Sequence, residues 1–74
     1  MNTFYITMSL VDQKDEDSGR IYGITAKSKV DGQVMFADYR ISLDLPLVQK
    51  LADFCQEKQP NKDEFHEIVE KYKQ

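Results

Sequence analysis

Apolar and polar side chains alternate over residues 3–11: Phe4, Ile6, Met8 and Leu10 fall on one side, Tyr5, Thr7, Ser9 and Val11 on the other. A period of two predicts a half-buried strand, because successive side chains of an extended chain point to opposite faces. Residues 21–30 and 33–41 repeat the pattern in two runs separated by Asp31-Gly32. Asp-Gly between such runs predicts a two-residue type I′ hairpin, in which both turn residues take φ > 0. That turn sets a register. Val30 is expected opposite Gln33, Ser28 opposite Met35, Ala26 opposite Ala37, Ile24 opposite Tyr39 and Tyr22 opposite Ile41, all on one nearly apolar face. The reverse face pairs Lys29 with Val34, Lys27 with Phe36, Thr25 with Asp38 and Gly23 with Arg40. Turn chemistry and binary pattern choose the same pairing; a slip by one residue would turn Lys27, Asp38 and Arg40 inward.

The period changes after Ser42. Leu47, Val48, Leu51, Phe54 and Cys55 recur at helical spacing and form one stripe. Asp44 is the expected N-cap, and Pro46 is tolerated in the first turn, where its missing N–H would have no partner anyway. Leu43 and Val48 are placed to form a hydrophobic staple. Gln59-Pro60 stops the helix, since the residue before proline avoids the α region. Asn61 with Glu64 three positions on makes a capping-box pair for a second helix. Phe65, Ile68, Val69 and Tyr72 give that helix an apolar face, with Glu67 and Lys71 ordered for an ion pair on the far side.

Consecutive strands with short connections pair as neighbours. The expected fold is therefore α+β and two-layered, in the order βββαα. It has a three-stranded antiparallel meander with residues 21–30 in the middle, and both C-terminal helices packed on the Tyr22/Ile24/Tyr39/Ile41 face. Residues 1–74 read as a single domain, without repeat or linker.

Composition narrows the function classes. The chain has 74 residues, room for one thin core, so stability is expected at the low end or supported by self-association. A net charge of −3 argues against a dedicated binder of nucleic acid or anionic membrane. One cysteine makes no internal disulfide, which fits a reducing compartment. No signal-peptide pattern and no membrane-length apolar run occur, so the expected location is the cytoplasm.

Tyr22-Gly23-Ile24, Ile41-Ser42 with Asp44, Leu51, Cys55, and Ile68-Val69-Glu70 with Tyr72 form a pattern. It resembles a family of short uncharacterised proteins, a domain of unknown function, from clostridia and related Gram-positive bacteria. The similarity spans roughly residues 21–72. Pro46 departs from the charged first turn of that pattern, and Pro60 stands where a Ser-Pro pair is expected. The resemblance implies no activity and transfers no functional residue.

Candidate chemistry is sparse. His66, with Glu70 four residues on, reads as part of a solvated helix face rather than an acid–base pair. Cys55 falls on the apolar stripe late in its helix, away from the positive N-terminus, and reads as a small core residue rather than a nucleophile. The acids Asp12, Asp15, Glu16 and Asp17 lack the order and the sixth-position glycine of an EF-hand loop. Gly19, Gly23 and Gly32 are too scattered for a phosphate loop. No catalytic set, metal site or cofactor is expected, and the chain does not read as an enzyme.

The feature above background is the sheet face that two helices on the other side leave bare. It is expected to show Tyr5, Val11, Ile21, Val34 and Phe36, ringed by Lys27, Lys29 and Arg40. Scattered exposed apolar residues covered by lysine stems are the bland explanation. The functional one is a small cytosolic protein-interaction or regulatory module of unknown partner, self-associating or binding a small protein through Tyr5, Ile21, Lys27, Val34, Phe36 and Arg40. A single-stranded nucleic-acid binder, stacking bases on Phe36 with the basic residues on phosphates, is the alternative.

Overall fold

The computed structural model describes residues 1–10 and 19–73. Three strands, β1 (Asn2–Leu10), β2 (Arg20–Ser28) and β3 (Val34–Ser42), are followed by two helices, α1 (Leu45–Lys58) and α2 (Lys62–Tyr72). The sheet is antiparallel in the order β1-β2-β3, a meander with β2 in the middle. The expected α+β, βββαα architecture is thus the one observed. The acidic residues Asp12 to Asp17 and the surface candidate Val11 lie outside the described residues.

β1 and β2 pair without interruption, from Asn2 opposite Ser28 to Leu10 opposite Arg20. The β2–β3 register differs from the expected one. Asp31-Gly32 is not a type I′ turn: Gly32 takes φ 73°, but Asp31 does not share a positive φ. The chain instead makes a wider loop closed by Ser28 and Gln33. The Ser28 N–H donates to the Gln33 carbonyl at 2.9 Å and the Gly32 N–H to the Ser28 carbonyl at 2.8 Å. The Asp31 carboxylate accepts the Gln33 N–H, the local bond that makes aspartate a good turn residue. Lys27 therefore meets Val34. Met35 is then an extra residue, and pairing resumes with Ala26 opposite Phe36, Thr25 opposite Ala37 and Ile24 opposite Asp38. A second bulge holds Tyr39, Arg40 and Ile41 against Gly23 alone before Tyr22 meets Ser42.

Each bulge changes the phase of β3, and the first changes which side chains reach the core. Phe36 turns inward, where its ring lies 5.0 Å from that of Phe65 and 6.0 Å from that of Phe4. Met35 and Tyr39, both expected inside, are exposed. In this phase Phe36 completes a three-ring cluster with Phe4 and Phe65, whose tilted rings lie within 6.2 Å of one another. Gly23 makes the second bulge possible. A Cβ there would sit 2.2 Å from the Asp38 carbonyl oxygen and 2.4 Å from the Tyr39 Cα, closer than any side chain tolerates.

The helix starts follow their sequence signals, while Leu43, expected to staple onto Val48, is exposed. Asp44 caps α1, its carboxylate accepting the Leu47 N–H, and Pro46 sits in the first turn. Asn61 and Glu64 form the reciprocal capping box of α2: Glu64 N–H donates to Asn61 Oδ1 at 2.8 Å and Asn61 N–H to Glu64 Oε1 at 3.0 Å. The buried stripe of α1 is Val48, Leu51, Ala52 and Cys55; Phe54 is rotated out to solvent. Phe65 and Val69 of α2 complete a core with Phe4, Ile24, Ala26 and Ile41, while Ile68 and Phe36 pack at its margin.

Candidate interaction surface

Both helices pack on one side of the sheet, and among the described residues no second layer covers the reverse side. Tyr5 stands on that outer face, directly across from Thr25, and is 50 % exposed. The Lys27 ammonium lies 5.5 Å from the centre of the Tyr5 ring, a cation–π contact that also lays the lysine stem across the face. Thr25 is buried between Tyr5 and Ala37, so the middle of this face is closed by small and hydroxylated side chains. Val34, opposite Lys27, is 52 % exposed.

The other expected surface residues separate from this group. Phe36 is not on the outer face at all; it belongs to the aromatic cluster with Phe4 and Phe65, for the reason of strand phase given above. Arg40 is exposed, but in the bulge rather than across from Gly23 as a regular pair. Ile21 is half-buried and lines a shallow cavity of about 350 Å³ with Ile41, Ser42, Leu43 and Asp44. The carboxylate there is engaged in capping α1.

Two further groups lie elsewhere. His66 is exposed, its ring in an edge-to-face contact with that of Phe65. Cys55 is fully buried, and burial pushes its thiol up to about 11, so it is not poised as a thiolate. Among the described residues no three His, Cys, Asp or Glu side chains gather to hold a metal ion, and no helix is long and apolar enough to cross a membrane.

No family model, curated protein or solved structure matches this chain. What its surfaces can do rests on their own geometry, and one of them was not anticipated from the sequence. β1 is an edge strand, and α1 reaches over to seal part of that edge. The Gln59 side chain accepts the Asn2 N–H at 2.7 Å and donates to the Asn2 carbonyl at 2.9 Å. Gln56 accepts the Phe4 N–H at 2.9 Å and donates to the Asn2 carbonyl at 3.3 Å. The two carboxamides stand in for the backbone of a neighbouring strand. Gln59 reaches this place from a left-handed backbone, φ 52° and ψ 56°, just past the end of α1. A non-glycine residue held there is strained, and such strain persists only where other contacts impose it. The sequence signal was present in Gln59-Pro60, but it reads first as a helix stop.

Proposed function

We propose that the chain is a small protein-interaction or regulatory module of the cytoplasm, without catalytic activity of its own, and that the uncovered sheet face is its binding surface. The single observation that supports this reading is the one-sided helix layer: it leaves Tyr5 and Val34 half exposed on a face that carries Lys27. Loss of Phe36 to the core makes this face smaller and more polar than the sequence suggests, closer to a rim-rich transient contact than to an obligate interface. The same change weakens the nucleic-acid alternative, since the aromatic that would stack on a base is inside and the Tyr5 ring already carries Lys27.

The test is affinity isolation with the wild type and with a Tyr5→Asp/Val34→Lys variant, both confirmed as folded by their thermal melts. A defined protein held by the wild type at physiological salt and released by the variant supports the reading. Retention indifferent to both substitutions overturns it. A complex with single-stranded nucleic acid, with affinity falling steeply as salt rises, would replace it.

A further inference from the structure

The seal on β1 stops halfway along the strand. Asn2 and Phe4 direct their backbone groups to the free edge, where Gln59 and Gln56 meet them. Backbone direction alternates along a strand, so Ile6, Met8 and Leu10 direct theirs to the same edge. Among the described residues nothing bonds them there. The side chains of this half are open too: Met8 is 53 % and Leu10 76 % exposed on the helix-facing side, past the end of the layer that covers Phe4.

The opposite edge of the sheet looks different. β3 carries bulges at Met35 and at Tyr39 to Ile41, with Asp38 and Arg40 among its residues, all devices that stop an edge from accepting another strand. β1, over Asn2–Leu10, is straight, unbulged and free of any charged side chain.

We infer that the Ile6–Leu10 edge is a docking site for a second copy of this chain, which adds antiparallel through the same residues. The occupant is chosen by self-complementarity. A two-fold axis at Met8 sets Met8 against Met8, and Ile6 against Leu10 of the second copy. In that register the bonding groups of all these residues face one another. On the helix side every contact is apolar against apolar. On the reverse side Thr7 lies across from Ser9 of the second copy, two small uncharged residues that bring no charge conflict. No like charges meet, although each chain carries a net charge of −3, because the strand itself is neutral. The two-fold also sends each α1 seal, at Asn2 and Phe4, to opposite ends of the ladder. The result is one continuous sheet with both helix layers on the same side. The contact is short, so the dimer is weak and concentration-dependent.

This inference is independent of the sheet-face reading, since it rests on the β1 edge and on none of Tyr5, Lys27 and Val34. Sedimentation equilibrium from micromolar to millimolar concentration tests it. The wild type is expected to dimerise, and Met8→Lys and Met8→Glu each to weaken the dimer about fivefold or more, since like charges then meet at the axis. Mixing the two variants is expected to restore association, as a lysine then faces a glutamate. Met8→Pro removes an N–H that points away from β2, so it leaves the fold standing and abolishes the dimer. A wild type monomeric at millimolar concentration overturns the proposal. So does a dimer unmoved by Met8→Lys, and one lost instead in Tyr5→Asp/Val34→Lys places self-association on the sheet face.

Discussion

The rings of Phe36 and Phe65 lie 5.0 Å apart at 49°, joining the start of β3 to the first turn of α2. This contact decides which face of β3 is inside. Phe36→Ala is expected to destabilise the fold by about 3 kcal/mol or more, as truncation of a packed phenylalanine does. Phe36→Asp should prevent cooperative unfolding altogether in so small a domain. Denaturant titration checks both; a folded, soluble Phe36→Asp variant would return this residue to the surface.

Gly23 and Gly32 separate two reasons for a glycine. At Gly32 the φ is 73° and open space surrounds the missing side chain, so Gly32→Ala acts through backbone torsion alone and should cost about 1 kcal/mol. At Gly23 the obstacle is the β3 backbone itself. Gly23→Ala should cost clearly more, about 2–4 kcal/mol, as overpacking and loss of the bulge combine. Equal melting temperatures for the two variants would remove the bulge from its role in setting the strand phase.

For Gln59 the backbone and side chain can be tested apart. Gln59→Ala loses the bonds to Asn2 and keeps the strained left-handed backbone; Gln59→Gly loses the same bonds but adopts φ 52° freely. The glycine variant should be the more stable of the two by about 1 kcal/mol. Hydrogen exchange adds a second readout. The Asn2 amide should lose protection equally in both variants.

Asp38 sits on the inner side of β3 as a result of the same phase change, where it accepts the Lys73 ammonium at 2.8 Å and the Arg40 N–H at 3.1 Å. The hydrogen bond to Asp38 raises the Lys73 pKa above its ordinary value of 10.5. A base with a raised pKa contributes stability that is complete below its unfolded pKa and lost as pH rises through the folded one. Lys73 is partly solvated, so the contribution is at most about 1 kcal/mol. The stability gap between wild type and Lys73→Gln should stay constant from neutral pH upward and close above pH 10.5. A gap that closes at lower pH assigns it to a different group.

Much of this architecture was legible in the residues. Asp44, Asn61 and Glu64 mark helix starts because their oxygens satisfy specific orphan N–H groups nearby in sequence. Strand existence follows from alternation, and Lys27 lies outside as the pattern predicts. The β3 phase was not legible. Asp-Gly suits several loops, and the one that forms is chosen by whether Phe36 reaches Phe65, a contact made far along the chain. Gly23, in the middle of an apolar run, was the available warning of a close backbone approach. On the candidate surface, Tyr5, Lys27 and Val34 stayed together because they lie on or beside regular pairing; Phe36 and Arg40 left because bulges intervene.

The seal between Asn2 and Gln59 joins residues 57 apart in sequence, whereas the strands join only their sequence neighbours. The order of assembly follows from loop entropy: a meander can zip up from local contacts, while the carboxamides arrive only when α1 has formed and swung onto the sheet. During synthesis β1 emerges before α1, and its whole edge stays unprotected until residue 59 has cleared the ribosome and docked. The period of greatest exposure to misassembly therefore comes early in the life of each molecule, and its length is set by how soon α1 closes.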